Sequence, residues 1–559
     1  MTLITRSPKQ AAPRKGPLAR AWDRLDDLPE GQELEANGRQ VPGTLIIAFG
    51  ALLVGLIAVV VTWRLGGLLL YSDAQTHMVI ARRVIDSQNT GFQQLGTVWL
   101  PVPHILLLPF VQSFPLWQSG LAGGLLGAGC LAVSASALWR IAYRVGYHRR
   151  ARLIVVAVLV FNPAMLYITT TALTEPVLLA CLLAAVAGLS GWIIAMPAIS
   201  PGELAVFAGL PTALAVLSRY EGWAFVAVGS VFVTVASWRR WRSASYTLSL
   251  LLSYLAAPVA AIVWWLSYNY VRYGDPLDFA RGQYSAATQQ ADLASQGLLA
   301  TKGNLGLSVT TYNWTVENLV GLGILVLAAV GLFALLWTRG LSTLSLLILS
   351  MGFVYPFALL SLWLGQTVIR NEVSLPIGMF NVRYGLVMLP ISALLVGAAV
   401  DLASTRGAAW GRATAGVAMV VIIGSAAWSL AEPEARMGVI REGYINDEGR
   451  AEAEQAANWL GRNYQGGYVL IDEVANPILM DLNLPLDQLW ASFNGENYED
   501  VLADPYQNVN YVFARVGSEG DRVWTAVSTD PNFNARFYPV FEAGPYVVWQ
   551  NTRSMRGLQ

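Results

Sequence analysis

The feature that most constrains this chain is a succession of apolar runs, each close to the roughly 20 residues that a bilayer-spanning helix needs. About eleven are present, at 44–63, 119–143, 153–171, 174–195, 204–218, 222–238, 246–269, 316–337, 342–365, 384–403 and 411–430, the fifth short and interrupted by Pro211. Charged residues make up only 13% of the 559 and hydrophobic residues 55%, whereas a soluble chain carries about a quarter charged. A cytosolic enzyme is excluded. The balance of 36 basic against 36 acidic residues gives no field that would gather nucleic acid.

Short loops rich in arginine stay on the cytoplasmic side. Arg6, Lys9, Arg14, Lys15, Arg20, Arg24 and Arg39 precede the first run, and every second loop is again basic: Arg144 to Arg152, Arg239 to Arg242, Arg339, then Arg406 and Arg412. The pattern predicts a multi-pass protein of a bacterial plasma membrane with a cytoplasmic polar arm at 1–43. It also places the loops 64–118, 270–315 and 366–383 and the tail 432–559 outside. The arm lacks the apolar core and cleavage site of a signal peptide. No repeat and no pair of inverted halves is visible, which weighs against a transporter.

Beyond residue 431 the composition becomes that of a water-soluble α/β domain. An amphipathic helix is predicted over Glu452 to Tyr464, with strands at Tyr468 to Asp472, Asn510 to Val516 and Tyr546 to Gln550. Its carboxylates are scattered, and nothing in it has a catalytic pattern. Cys130 and Cys181 lie in apolar runs and read as packing residues. With His77, His104 and His148 as the whole histidine complement, a His/Cys zinc site of the usual spacing cannot be built.

Chemistry concentrates in the first external loop. Ser72 and Gln75 have capping-box spacing, so a helix should begin there, with Ala74, Met78, Ala81 and Ile85 as its apolar stripe at the membrane surface and Asp73 in its first turn. An acid in that position also simply complements the helix dipole. The following stretch, Gln93 through Trp99 to Pro101-Val-Pro-His104, is polar, aromatic and kinked, and suits the wall of a cleft.

An aspartate on a surface helix just after the first span, followed by Pro-Xaa-Pro-His leading into the second, resembles the GT-C superfamily of polytopic glycosyltransferases. Protein mannosyltransferases and lipid A aminoarabinose transferases are members. Asn381-Val-Arg-Tyr-Gly-Leu-Val-Met-Leu-Pro390 is similar to the Arg-Tyr segment with downstream proline that such enzymes carry at the start of a late span. The resemblance implies a polytopic GT-C-like module over 44–431 and an inverting transfer of a sugar from a polyprenyl-phosphate donor to a hydroxyl of a glycan, lipid or protein acceptor. Several relatives have paired acids at the first-loop site; here Asp73 is followed by Ala74 and Gln75, so a divalent cation lacks the support of an acidic pair and no cofactor is assigned.

On that resemblance Asp73 is the general base, and Arg383, Tyr384 and Arg219 bind the donor phosphate, arginine being suited by its permanent charge and forked geometry. The bland readings are a headgroup anchor for Arg383 and a local pair with Glu221 for Arg219. His77, His104, Glu175, Glu221, Trp99 and Tyr284 are candidate substrate contacts. The long loop 270–315, with Gln283, Gln289 and Gln290 and glycines at 297, 303 and 306, is expected to be a lid over the donor. Two further classes compete: a transporter or flippase for a lipid-linked or polysaccharide precursor, and a silent scaffold that recruits partners through its tail.

Overall fold

The computed structural model describes residues 41–96, 98–195, 200–282, 285–374 and 378–553. Most of the polar arm at 1–43 and the site candidate Tyr284 therefore lie outside the described residues. Within them, nine helices are long and apolar enough to cross a bilayer, the first Thr44–Arg64 and the last Ala408–Ala431. A tenth span is Arg149–Val160 with Pro163–Thr170, bent by 54°. Pro163 cannot continue the hydrogen-bond ladder, and Asn162 restarts it by accepting the Met165 N–H at 2.8 Å. The run expected at 204–218 is a shorter helix, Pro201–Val216. Pro211 cannot donate to the Phe207 carbonyl, and the backbone widens into a π turn over Ala205–Gly209.

The expected span 316–337 is two helices, Leu305–Val320 and Leu322–Arg339, broken at Gly321 where φ is 93°. The loop 270–315 consequently has structure of its own that its composition did not suggest. It holds the helices Asp278–Arg281 and Ala286–Ser295 and the start of Leu305–Val320, the last pinned to the loop 366–383 by Asn371, which donates to Thr311 O at 2.9 Å and Thr315 Oγ1 at 3.0 Å.

Burial sorts the spans into a rim and a centre. The first and last have 17% and 11% of their apolar window buried, whereas Glu175–Ile194 and Val382–Thr405 have 83%. Small residues bring the central helices close, as usual for association in lipid: a Cβ on Gly331 would lie 1.7 Å from the Leu395 carbonyl oxygen. Both central helices begin on the same side of the bundle, one with Glu175 as its first residue and the other with Arg383 as its second. The loops 64–118, 270–315 and 366–383 gather there, beneath the C-terminal domain.

That domain is a five-stranded sheet of order β2-β1-β3-β5-β4, with β1 Val469–Ile471, β2 Leu489–Trp490, β3 Tyr511–Arg515, β4 Phe537–Ala543 and β5 Tyr546–Asn551. The first three strands run parallel and the last two antiparallel, and helix Ala451–Asn463 packs its buried alanines and Leu460 against the sheet. Two strands, β2 and β4, carry no period-2 pattern clear enough to read from the sequence. Helix Gly438–Glu448 joins the domain to the bundle.

Candidate active site

The predicted helix after the first span forms over Ser72–Arg83, but its cap is Tyr71 and no capping box forms. Ser72 Oγ donates instead to Asn446 Oδ1 at 3.1 Å, and Gln75 Nε2 to Leu69 O at 3.1 Å. The reason is tertiary. Tyr71 OH donates to Val439 O at 2.6 Å, so the C-terminal domain sits on this helix, which is enclosed from Ala74 to Ala81 except at Thr76 rather than resting on a membrane surface.

Asp73 projects from its first turn to Arg383. That arginine sits in a 3₁₀ segment, Val382–Met388, which precedes the α-helix because Pro390 cannot donate to the Leu386 carbonyl. Its guanidinium is a hub: Nη2 donates to Asp73 Oδ2, Nε to Glu175 Oε1 at 3.1 Å and Nη1 to Glu442 Oε1 at 3.1 Å. The Arg383 side chain is 5% exposed, Glu175 0% and Glu442 1%, but Asp73 keeps 37%. Asp73 is the opening of an otherwise enclosed cluster, and its Oδ1 has no partner among the described residues.

Arg219 extends the network. It grips Glu221 through Nε and Nη2 at 3.2 and 2.9 Å, and reaches Glu175 Oε1 at 2.9 Å and Thr174 Oγ1 at 3.0 Å through Nη1. Arg219 thus forms the local pair with Glu221 and joins the cluster as well. Tyr384 lies between the two guanidiniums, with its ring centre 4.7 Å from Arg219 and 5.5 Å from Arg383. Arg383 uses three of the five N–H donors of a guanidinium on carboxylates, which leaves one on each terminal nitrogen.

Two members escaped the sequence. Glu442, from the domain that had no catalytic pattern, also accepts the N–H groups of Asn381 at 2.7 Å and Val382 at 3.0 Å. Burial pushes its carboxyl up, against the opposing pull of Arg383 and those two N–H groups. Arg370 pairs through its backbone with Phe380, at the head of the segment that carries Arg383, and lays its guanidinium on that ring at 5.2 Å. Its Nε is buried without a partner. No acid lies within 4 Å of it among the described residues.

His77 and His104 lie one turn away as a pair, Nδ1 to Nε2 at 2.9 Å, with the Trp99 ring tilted against His77 at 4.5 Å between centres. Burial first, then Arg383 and Arg219, push His77 down to about 3, and burial holds His104 well below the ordinary range as well. The pair is neutral at physiological pH. His104 is wholly enclosed, contacts His77 through Nε2 and keeps Nδ1 buried without a partner among the described residues. Glu175, equally enclosed, accepts from both guanidiniums through Oε1, and its Oε2 is buried without a partner among the described residues. Trp99 is half-buried and stays available as a stacking surface.

One helical turn inside the cluster, Leu179, Phe225 and Val387 stand four residues beyond Glu175, Glu221 and Arg383. With Leu182, Val354 and Pro390 they border a small, almost wholly apolar void of about 20 Å³ between the helices. No group of three or more His, Cys, Asp or Glu among the described residues is arranged to hold a metal ion.

No family model matches the sequence, and no curated protein matches it. Solved structures do. The crystal structure of ArnT from Cupriavidus metallidurans in the apo state superposes with a TM-score of 0.54 at 15% identity, over 91% of this chain and 99% of that one. The chain has the GT-C fold. The oligosaccharyltransferase of Archaeoglobus fulgidus in the apo form is a more distant match, at a TM-score of 0.49 and 12% identity over 87% of this chain and 70% of the other.

Proposed function

We propose that this membrane protein is an inverting glycosyltransferase that moves a sugar from a polyprenyl-phosphate donor to an acceptor hydroxyl at the outer face of a bacterial plasma membrane. The observation that carries this reading is the single exposed carboxylate, Asp73, held by a buried arginine directly above an apolar void that opens between spans. The acceptor hydroxyl hydrogen-bonds to the free Oδ1 of Asp73, which takes its proton as the oxygen attacks the anomeric carbon from the face opposite the phosphate. General-base help of this kind contributes about 10² to 10⁴-fold. Arg383 fixes Asp73 in place.

The departing phosphate is met by the unused N–H groups of Arg383 and Arg219 and by the Tyr384 hydroxyl. The cluster itself is rich in anions: Asp73, Glu175, Glu221 and Glu442 face two guanidiniums. Arg370, whose charge no described acid compensates, offsets that excess on the same segment. The apolar side chains around the small void, Leu182, Val354 and Pro390 among them, part to take the first isoprene units, and Trp99 offers a face for a sugar.

A flippase reading would need ionisable groups at mid-bilayer depth. Here the linked charges stand at the starts of Glu175–Ala195 and Glu221–Trp241 and in the segment leading into Leu389–Thr405, which favours surface chemistry. The test uses purified full-length protein in liposomes with donor labelled in the sugar and in the lipid. Release of free polyprenyl phosphate with sugar appearing on an acceptor supports the proposal. Movement of intact donor between leaflets without cleavage refutes it.

A further inference from the structure

A second concentration of positive charge lies at the other end of the Asp73 helix. Arg83, its last residue, is half-buried. Its Nε donates to Gln94 O at 2.6 Å, and its guanidinium lies 5.4 Å from the Phe493 ring centre. Arg272, exposed at the end of span Ala244–Tyr273, brings Nη2 within 3.9 Å of where a Cβ on Gly495 would stand. Phe493 and Gly495 are two residues apart, so both guanidiniums converge on one turn of the C-terminal domain.

Aromatic groups line the place. Tyr268 donates to Phe92 O at 3.2 Å, and Arg272 lies 5.6 Å from the Tyr273 ring centre. Neither arginine has a carboxylate within 4 Å among the described residues. The nearest electrostatic partner of Arg83, Glu473, is engaged by Ser492 through N–H at 2.9 Å and Oγ at 2.5 Å. Burial holds Arg83 below its ordinary range, Glu473 opposes this, and Arg272 adds to it. Space for the Arg83 fork exists because residue 96 is glycine: a Cβ there would stand 3.1 Å from Nη2.

Ten residues of helix separate Asp73 from Arg83, about 15 Å at 1.5 Å per residue. Trp99 lies between them on His77. We propose that Arg83 and Arg272 form a second oxyanion site, which takes a phosphate or carboxylate carried by the acceptor about 15 Å from the hydroxyl presented to Asp73. This rests on the transferase reading for the word acceptor; the anion site itself does not. Two guanidinium forks suit a tetrahedral or planar oxyanion bidentately, and Trp99 is placed to stack on whatever links it to the reacting sugar. The acceptor is thereby an anionic glycan or glycolipid rather than a neutral one.

The experiment measures thermal stabilisation of the full-length protein in phosphatidylcholine nanodiscs by inorganic pyrophosphate, alongside binding of polyprenyl phosphate. We expect a saturable rise in Tm whose midpoint moves at least tenfold to higher pyrophosphate in Arg272→Gln, a change on the exposed rim that leaves folding intact, and in Arg83→Gln. Polyprenyl-phosphate binding should be unchanged in both. An unshifted midpoint in Arg272→Gln overturns the site. Stabilisation by phosphatidylglycerol in the nanodisc that Arg272→Gln removes, with none by pyrophosphate, assigns the arginines to lipid headgroups and also overturns it. Failure of the wild type to bind polyprenyl phosphate sinks the transferase reading while leaving the pyrophosphate result to stand alone.

Discussion

Glu442→Gln is the most informative single change outside the bundle, because it alters one atom and leaves the shape. The carboxylate accepts three bonds: Asn381 N–H and Arg383 Nη1 on Oε1, and Val382 N–H on Oε2. In glutamine one oxygen becomes an NH₂ donor. In the less damaging orientation it replaces Oε2 and turns against the Val382 N–H, which is left unsatisfied at about 1–3 kcal/mol, while the bond to Arg383 loses its ionic character at about 1.5 kcal/mol more. The sum, about 2.5–4.5 kcal/mol, overlaps the roughly 3–5 kcal/mol for breaking a buried ion pair. Arg383 keeps Glu175 and Asp73, so the fold survives and its aim degrades. With 1.4 kcal/mol per tenfold, transfer should fall on the order of 10²-fold. The assay is sugar transfer by the full-length protein in nanodiscs, paired with amide hydrogen exchange over residues 381–388. Wild-type turnover with wild-type exchange would refute the claim that the outer domain completes the site.

Other outcomes follow from the same geometry. Leu182→Phe narrows the apolar void and should raise KM for a long-chain polyprenyl donor several-fold more than for a short-chain analogue, in parallel initial-rate series; equal effects would remove the void from the donor path. Arg370→Gln should lower kcat tenfold or more without loss of Tm, since no described acid depends on it; an unchanged kcat would return it to a packing role. Burial pushes Asp481 up from the usual carboxylate value to about 7. The folded state then binds the proton more tightly than the unfolded one, so this group lowers stability as pH rises from about 4 through 7. Asp481→Asn should therefore raise Tm more at pH 8 than at pH 5 in a thermal scan series, and an equal change at both would contradict that origin.

What the sequence revealed was whatever repeats in one dimension. Apolar runs gave the spans, arginine-rich loops gave an orientation, and an aspartate after the first span with a late Arg-Tyr segment pointed to one fold and to residues that meet in space: Asp73, Glu175, Arg219, Glu221, Arg383 and Tyr384. Glu442 was illegible because no period or spacing marks it among the scattered acids of the tail. Its role comes from a contact 59 residues from Arg383 in the chain. The Ser72 and Gln75 pair misled for a related reason: a local capping pattern gave way to Asn446 and Leu69 O once the outer domain covered the helix. In the loop 270–315 polar composition suggested mobility, but the ends of Leu305–Val320 are fixed by Gly321 and by Asn371, and neither partner is visible in a window of that loop.

The central claim is that Asp73 takes the proton from the acceptor. It is tested most directly by Asp73→Asn in the full-length protein, with radiolabelled polyprenyl-phosphate sugar, measuring both transfer and donor retention. Asparagine keeps the shape and a hydrogen-bond acceptor toward Arg383 but cannot serve as a base. Transfer reduced at least 10³-fold with donor binding within threefold of wild type is the predicted result. Transfer within tenfold of wild type would contradict it.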